Sequence, residues 1–265
     1  MKFPQIGPAF LVTAAFIGPG TVITASLAGA NYGLTLVWAL LFAMIATIVL
    51  QEMSARLGIV SQQGLGENIR AAIKQPFLKA SAIVLVVSAI VIGNGAYQSG
   101  NISGASLGLV SFAKQLNVDV AYATIIFPII IGTVAFLLLL TGSYKVIERA
   151  LVVLVGMMSI AFILTFLITE PKWSELFSSF VAFEVPTGAT LTVIALIGTT
   201  VVPYNLFLHA STASEKWHSS DDIPKARKDL LISIPIGALI SVAILSTAAS
   251  AFFGQQLSIQ SAADL

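Results

Sequence analysis

The chain has 265 residues, of which 57% are hydrophobic and 9% charged, with a mean hydropathy of +0.96 and a net charge of +1. A soluble domain carries roughly 25% charged residues, so the composition points to a membrane protein, and no basic patch supports nucleic-acid binding. The absence of cysteine excludes disulfides and thiolate metal sites.

Seven apolar segments of spanning length follow one another, at about 8–30, 33–51, 80–110, 120–140, 150–168, 187–213 and 230–252. Each exceeds or approaches the ~20 residues that cross a bilayer core. The first is too long for a signal peptide and lacks a cleavage pattern, so it is read as a span. It is interrupted by Gly18-Pro19-Gly20-Thr21, where proline removes a backbone donor and the helix should unwind. The third segment is long enough to tilt and carries Asn94, Gln98 and Asn101 on one helical face. Those amides read either as packing glue between helices or as a polar wall beside a transport path. The sixth segment is broken again, at Gly198-Thr199-Thr200-Val201-Val202-Pro203-Tyr204-Asn205, with His209 six residues beyond the proline. That histidine reads either as a buried neutral side chain or as a titrating gate.

Lysine and arginine set the orientation. With the N-terminus inside, Lys2, Arg56, Arg70, Lys74, Lys79, Lys145, Arg149, Lys216, Lys225, Arg227 and Lys228 are cytoplasmic, and only Lys114 and Lys172 lie outside. Eleven against two is a clear positive-inside bias. The expected location is a bacterial inner (plasma) membrane, multi-pass, with a cytoplasmic N-terminus.

A matched pair of broken spans is the sequence mark of a secondary transporter's substrate site. Freed peptide groups are tolerated in lipid only where they line a cavity or find a partner. The seven apolar segments contain no Asp, Glu, Lys or Arg; Glu52 and Glu148 stand at span ends. The usual mark of a proton relay is therefore missing from the spans. No Ser/His/Asp set, carboxylate pair or histidine cluster suggests an enzyme, and no cofactor is expected.

The string Thr200-Val201-Val202-Pro203-Tyr204-Asn205-Leu206-Phe207-Leu208-His209-Ala210-Ser211 resembles the broken sixth helix of the Nramp divalent-metal transporters, whose pattern is Met-Pro-His-Asn-Leu-x-Leu-His. Gly7-Pro8-Ala9-Phe10 with Gly18-Pro19-Gly20-Thr21 resembles the family's first helix, which ends in Asp-Pro-Gly-Asn. Gln51 to Val60 resembles its second helix and following loop. The resemblance runs from about Gly7 to beyond Pro235 and implies an all-α, LeuT-like inverted-repeat fold. This chain would supply the first repeat of five helices and two of the second. It is read as a single transporter domain over 1–265, incomplete at its C-terminus, with a polar tail from about Gly254.

The departures from the pattern fall on the ligands. The family's metal-coordinating Asp aligns with Gly18, its Asn with Thr21, its Met with Val202, and its first sixth-helix His with Tyr204. The small residue three before that Met aligns with Thr199. The third-helix acids linked to proton movement align with Gln98 and Asn101, which leaves His209 as the retained titratable position. The expected substrate-binding set is Gly18, Gly20, Thr21, Gln98, Thr199, Val202, Tyr204 and Asn205, with His209 and Asn101 as proton or gating candidates. No side-chain metal ligand set is identified. Any metal contact would be through backbone or water at Gly18 and Thr199.

Such a neutral, oxygen-rich pocket suits a hydrated divalent ion, because Mg2+ dehydrates reluctantly and keeps several waters. Desolvating a bare ion there would be expensive. The expected partners are a divalent ion of the Mn, Fe or Mg class and the lipid bilayer. Two alternatives stay open. One is a small organic solute such as an amino acid, whose carboxylate would suit the half-helix N-terminus after Pro203. The other is a relative that does not transport.

Overall fold

Proline starts helices throughout this chain because it lacks the N–H that a first turn leaves unpaired anyway. In the computed structural model it stands in the first two positions of α1 (Pro8–Phe16), α2 (Pro19–Tyr32), α5 (Pro76–Gln115), α10 (Pro203–Lys216) and α11 (Ile223–Phe252). The other helices are α3 (Val37–Ser61), α4 (Leu65–Ala72), α6 (Val120–Leu140), α7 (Tyr144–Ile168), α8 (Trp173–Ser179) and α9 (Thr190–Thr200). A 3-10 turn at Ser220–Asp222 precedes α11. The structure describes residues 7–117, 119–142, 144–169 and 171–255, with backbone alone for 144–148. Lys2, most of the polar tail and the side chains of Lys145 and Glu148 thus lie outside the described residues.

Among the described residues six helical stretches are long and apolar enough to cross a membrane, and the α1–α2 pair makes a seventh if counted as one broken span. That pair bends by 57°, whereas α9 and α10 run on as one candidate span, Thr190–Lys216. The breaks are shorter than the sequence suggests. Only Ile17 and Gly18 separate α1 from α2, and only Val201 and Val202 separate α9 from α10. Thr21, Thr199, Tyr204 and Asn205 therefore belong to the helical turns on either side.

α11 is the hub. Its Leu230, Ile234, Ile244 and Leu245 are buried in one apolar cluster with Phe16, Leu36 and Leu196. Glycine lets its neighbours come close. A Cβ on Gly29 of α2 would stand 2.1 Å from the Leu245 carbonyl oxygen, and one on Gly58 of α3 would stand 2.2 Å from that of Ala210. Such small-residue contacts allow dense packing between membrane helices. At the end of α3, Glu52 pairs with Arg227 of α11 at 2.8 Å and with Arg56 at 3.4 Å. α5 and α6 lie at the periphery, exposing residues such as Val91, Ile92, Ile125 and Leu139. These are the side chains that lipid would cover.

This packing separates two kinds of glycine. Gly58→Val should destabilise the protein by about 1–3 kcal/mol through overpacking against Ala210. Gly100→Ala, whose Cβ meets nothing within 4 Å, should be neutral or stabilising by up to ~1 kcal/mol, since glycine weakens a helix interior. Thermal unfolding of the detergent-purified protein checks both.

Candidate functional site

Each break exposes the last carbonyls of one half-helix and the first N–H groups of the next. The carbonyls come first. Thr21, in the first turn of α2 and 1% exposed, donates its hydroxyl back across the break to the Phe16 carbonyl. Tyr204, in the first turn of α10, donates to the Ala15 carbonyl at 3.2 Å. Tyr97 of α5 places its phenol 3.5 Å from the Phe16 oxygen and 3.4 Å from that of Thr199. One hydroxyl carries one proton, so it serves these two carbonyls in turn at long range. The two tyrosine rings meet edge to face, with centroids 5.9 Å apart. The breaks are thereby tied together through phenols rather than through charges.

On the N–H side, Asn101 of α5 accepts from Gly20 at 3.2 Å and so caps α2. Its Oδ1 also lies 3.3 Å from where a Cβ on Gly18 would sit. Gly18 is extended (φ −135°, ψ −178°) and forms the N-cap of α2. Val202 forms that of α10 (φ −103°, ψ 126°) and is buried. In α10 the Asn205 N–H is already bonded to the Val202 carbonyl at 3.1 Å. Thr199 turns its hydroxyl back to Leu196 at 2.9 Å, leaving its carbonyl to Tyr97.

A second polar layer lies between α3 and α10. His209 is fully buried, with Nδ1 2.9 Å from Gln51 Oε1. Ser54 donates to the Leu206 carbonyl. Asn205, also fully buried, has no protein partner for either atom of its amide among the described residues. The same holds for His209 Nε2 and Thr47 Oγ1. Buried polar groups are nearly always satisfied, so free capacity one turn from a break marks where a ligand or water belongs.

Most of the expected set therefore gathers at the breaks, but Gln98 does not. It is exposed, while Tyr97, Asn101 and Gly104 turn inward; a Cβ on Gly104 would meet Ile23 and Pro19 of α2. The expected stripe of Asn94, Gln98 and Asn101 is corrected to one running through Tyr97. A step of one residue turns a helix by about 100°, and the glycines around it gave no apolar pattern to fix the rotation. The reach of the Tyr97 hydroxyl to both breaks, Gln51 as the partner of His209, and Asp229 at the start of α1 were not part of the expected set. Among the described residues no group of three or more His, Asp or Glu could hold a metal ion. The site's polarity thus comes from carbonyls, hydroxyls and amides.

The family model for natural resistance-associated macrophage protein-like (Nramp) proteins matches residues 9–265. The chain belongs to the Nramp family. It is 29% identical to the divalent metal cation transporter MntH of Verminephrobacter eiseniae over 259 residues, covering 95% of this chain and 57% of the relative. The Bacillus subtilis protein of the same name is 29% identical over 266 residues, covering 97% and 60%. The chain thus spans little more than half the length of these relatives. A crystal structure of the Eremococcus coleocola manganese transporter, in complex with an aromatic bis-isothiourea substituted compound, superposes with a TM-score of 0.68 at 21% identity. That match covers 92% of this chain and 51% of the other. The Nramp fold, LeuT-like with broken first and sixth helices, is therefore that of this chain, a multi-pass integral membrane protein.

The phenolic tie has a measurable weight. Tyr97→Phe keeps the ring pair and removes the shared hydroxyl, so it should lower stability by about 1 kcal/mol. Gln98→Ala, on the exposed face, should stay within roughly 0.5 kcal/mol. Unfolding in detergent distinguishes the two.

Proposed function

We propose that the chain is part of a secondary transporter that moves a divalent metal cation by alternating access, taking the ion with water still bound. The supporting observation is how the hydroxyl protons are spent. Thr21, Tyr97 and Tyr204 direct them at the Ala15, Phe16 and Thr199 carbonyls. The oxygen lone pairs are what these groups have left for a ligand. Waters on a metal ion present hydrogens outward, so an acceptor-lined neutral pocket suits a hydrated cation. Mg2+ keeps its waters most firmly, and Mn2+ and Fe2+ belong to the same substrate class on this reading. The names of the relatives point the same way: divalent metal cation transporters by sequence, a manganese transporter by fold. In this proposal the family's Asp, Asn and Met ligands are replaced by Gly18, Thr21 and Val202. Asn205, in the first turn after the second break, has hydrogen-bonding capacity to spare on both atoms of its amide. The membrane would be the bacterial plasma membrane, with the N-terminus cytoplasmic.

A zwitterionic solute is the second reading, resting on the half-helix N-termini. It is the weaker one. Asn101 already takes the Gly20 N–H, and the Val202 carbonyl takes that of Asn205. A carboxylate would find few free donors there. Uptake by the full-length protein in proteoliposomes decides between them. Mg2+ or Mn2+ should accumulate and an amino-acid panel should not; the reverse outcome would favour the organic solute.

Restoring the family ligands tests the site. Gly18→Asp, Thr21→Asn and Val202→Met together should tighten Mn2+ binding roughly tenfold or more, because a carboxylate adds charge and a thioether adds softness. Since the Asn101 oxygen crowds the Gly18 position, the triple variant needs Asn101→Ser beside it. Unchanged Mn2+ affinity by calorimetry in that folded variant would argue against these positions as the metal site.

Transport should show little proton coupling, because the positions resembling the family's proton route are amides. Substrate uptake should leave the vesicle lumen at constant pH, and His209→Gln should leave the pH dependence of uptake nearly flat. A proton signal that scales with uptake and disappears in that variant would make His209 the carrier.

A further inference from the structure

α1 is nine residues long, meets α2 at 57°, and is joined to it by two residues. Its own N-cap, Gly7, provides no side-chain hydrogen bond. The cap arrives from 220 residues away: the Ala9 N–H donates to Asp229 Oδ2 of α11 at 3.0 Å. Space for that carboxylate exists only because residue 7 is glycine. A Cβ there would lie 1.9–2.0 Å from all three carboxylate atoms. Asp229 is half-buried and within electrostatic reach of Lys216 at the end of α10. The face of α11 that carries it continues one turn at a time through Ser233 to Gly237. There a second notch receives α1, since a Cβ on Gly237 would stand 2.6 Å from Thr13 Cγ2 and 2.7 Å from Phe16 Cζ.

We infer that Asp229 is a latch: its carboxylate on the first turn of α1 holds that half-helix against α11 and closes one end of the path to the breaks. The chemistry favours a latch over a permanent weld. A carboxylate at a helix N-terminus gains from both the free N–H groups and the helix dipole, yet the contact is a single hydrogen bond at a partly solvated rim. Below it the α1 interface is apolar, with Val12 and Phe16 buried in one cluster with Leu230 and Ile234 of α11, and among the described residues no ion pair joins the two helices. Released at Asp229, α1 can pivot about Ile17–Gly18 without disturbing the Asn101 cap on α2, which lies beyond the hinge. This deepens the alternating-access reading and rests on it for its purpose. The test below uses no substrate, so it stands or fails separately.

Because the chain has no cysteine, one introduced thiol reports alone. Thr13→Cys places it between α1 and α11, where Thr13 is buried. The readout is its labelling rate by a membrane-impermeant maleimide, in right-side-out and inside-out vesicles of the full-length protein. Asp229→Ala should raise that rate about tenfold from one face of the membrane, as expected for loss of a charge-assisted hydrogen bond. Gly7→Ala, which displaces the carboxylate while leaving it present, should do the same. The double variant should label no faster than either single one, because both remove one contact. A Ser246→Cys reporter, buried further along α11, should keep its parental rate throughout. Parental labelling of the Thr13→Cys reporter in both single variants, additive effects in the double, or a parallel rise in the Ser246→Cys reporter would each overturn the latch. Should Asp229→Ala fail to fold, Gly7→Ala carries the comparison with the same two outcomes.

Discussion

A helix broken inside a membrane leaves peptide groups that no water can satisfy, and each must find a partner or line a cavity. Here the partners are hydroxyls. The Ala15 and Phe16 carbonyls are met from α2, α5 and α10 at once, by Thr21, Tyr97 and Tyr204. The requirement explains why these three helices converge. It also explains why α5, otherwise peripheral and lipid-facing, presses Tyr97, Asn101 and Gly104 against the first break. Glycines on α2, α3 and α11 then bring the backbones close enough for short side chains to reach.

The same economy shapes the chemistry. A carboxylate beside the Gly18–Pro19 turn would supply charge for a bare metal ion, and a thioether beside Pro203 would supply softness. Glycine and valine stand in those places, and a side chain at position 18 would first meet the Asn101 amide oxygen. A neutral pocket cannot repay the dehydration of a divalent ion. On the proposed reading it holds the ion's water shell, where geometry and hydrogen bonding replace Coulomb attraction. Selectivity would then follow from the radius and rigidity of the hydrated ion.

Much of this was legible from residue chemistry. Gly18-Pro19 and Val202-Pro203 announced the breaks, because proline's effect on a helix is local. Thr21, Tyr204 and Asn205 entered the expected set because they adjoin those prolines, and the structure places them in the turns beside the breaks. Gln98 was misplaced for a physical reason: in a segment where amides, serines and glycines fall on several sides, hydropathy carries no clear phase, and only tertiary contact sets the rotation. Tyr97 stood beside it as one more polar side chain of the span, and only the folded structure shows its hydroxyl reaching carbonyls at both breaks. Asp229 fell one residue before the last apolar segment, at about 230–252. The helix begins earlier, at Ile223, and the Ser219 hydroxyl accepting from the Asp221 N–H, followed by Pro224, was the available signal for that start.

The two broken helices are held by different means, and the difference bears on which of them moves. α10 is fastened to α3 along its length: Ser54 to the Leu206 carbonyl, Gln51 to His209, Gly58 against Ala210, and Gln62 to the Trp217 carbonyl at 3.0 Å. Moving it would break several buried contacts together. Among the described residues α1 is tied to other elements by polar contacts near its two ends, to Asp229 at the start and to the hydroxyls of Thr21, Tyr97 and Tyr204 at the finish. Its flank against α11 is apolar, with Val12 and Phe16 in the buried cluster, a surface over which a helix can tilt without leaving a polar group unpaired. The tie at the break end lies beside the hinge and changes little on pivoting. On the proposed latch the far tie alone has to open, which gives a single carboxylate at the rim leverage over the whole half-helix.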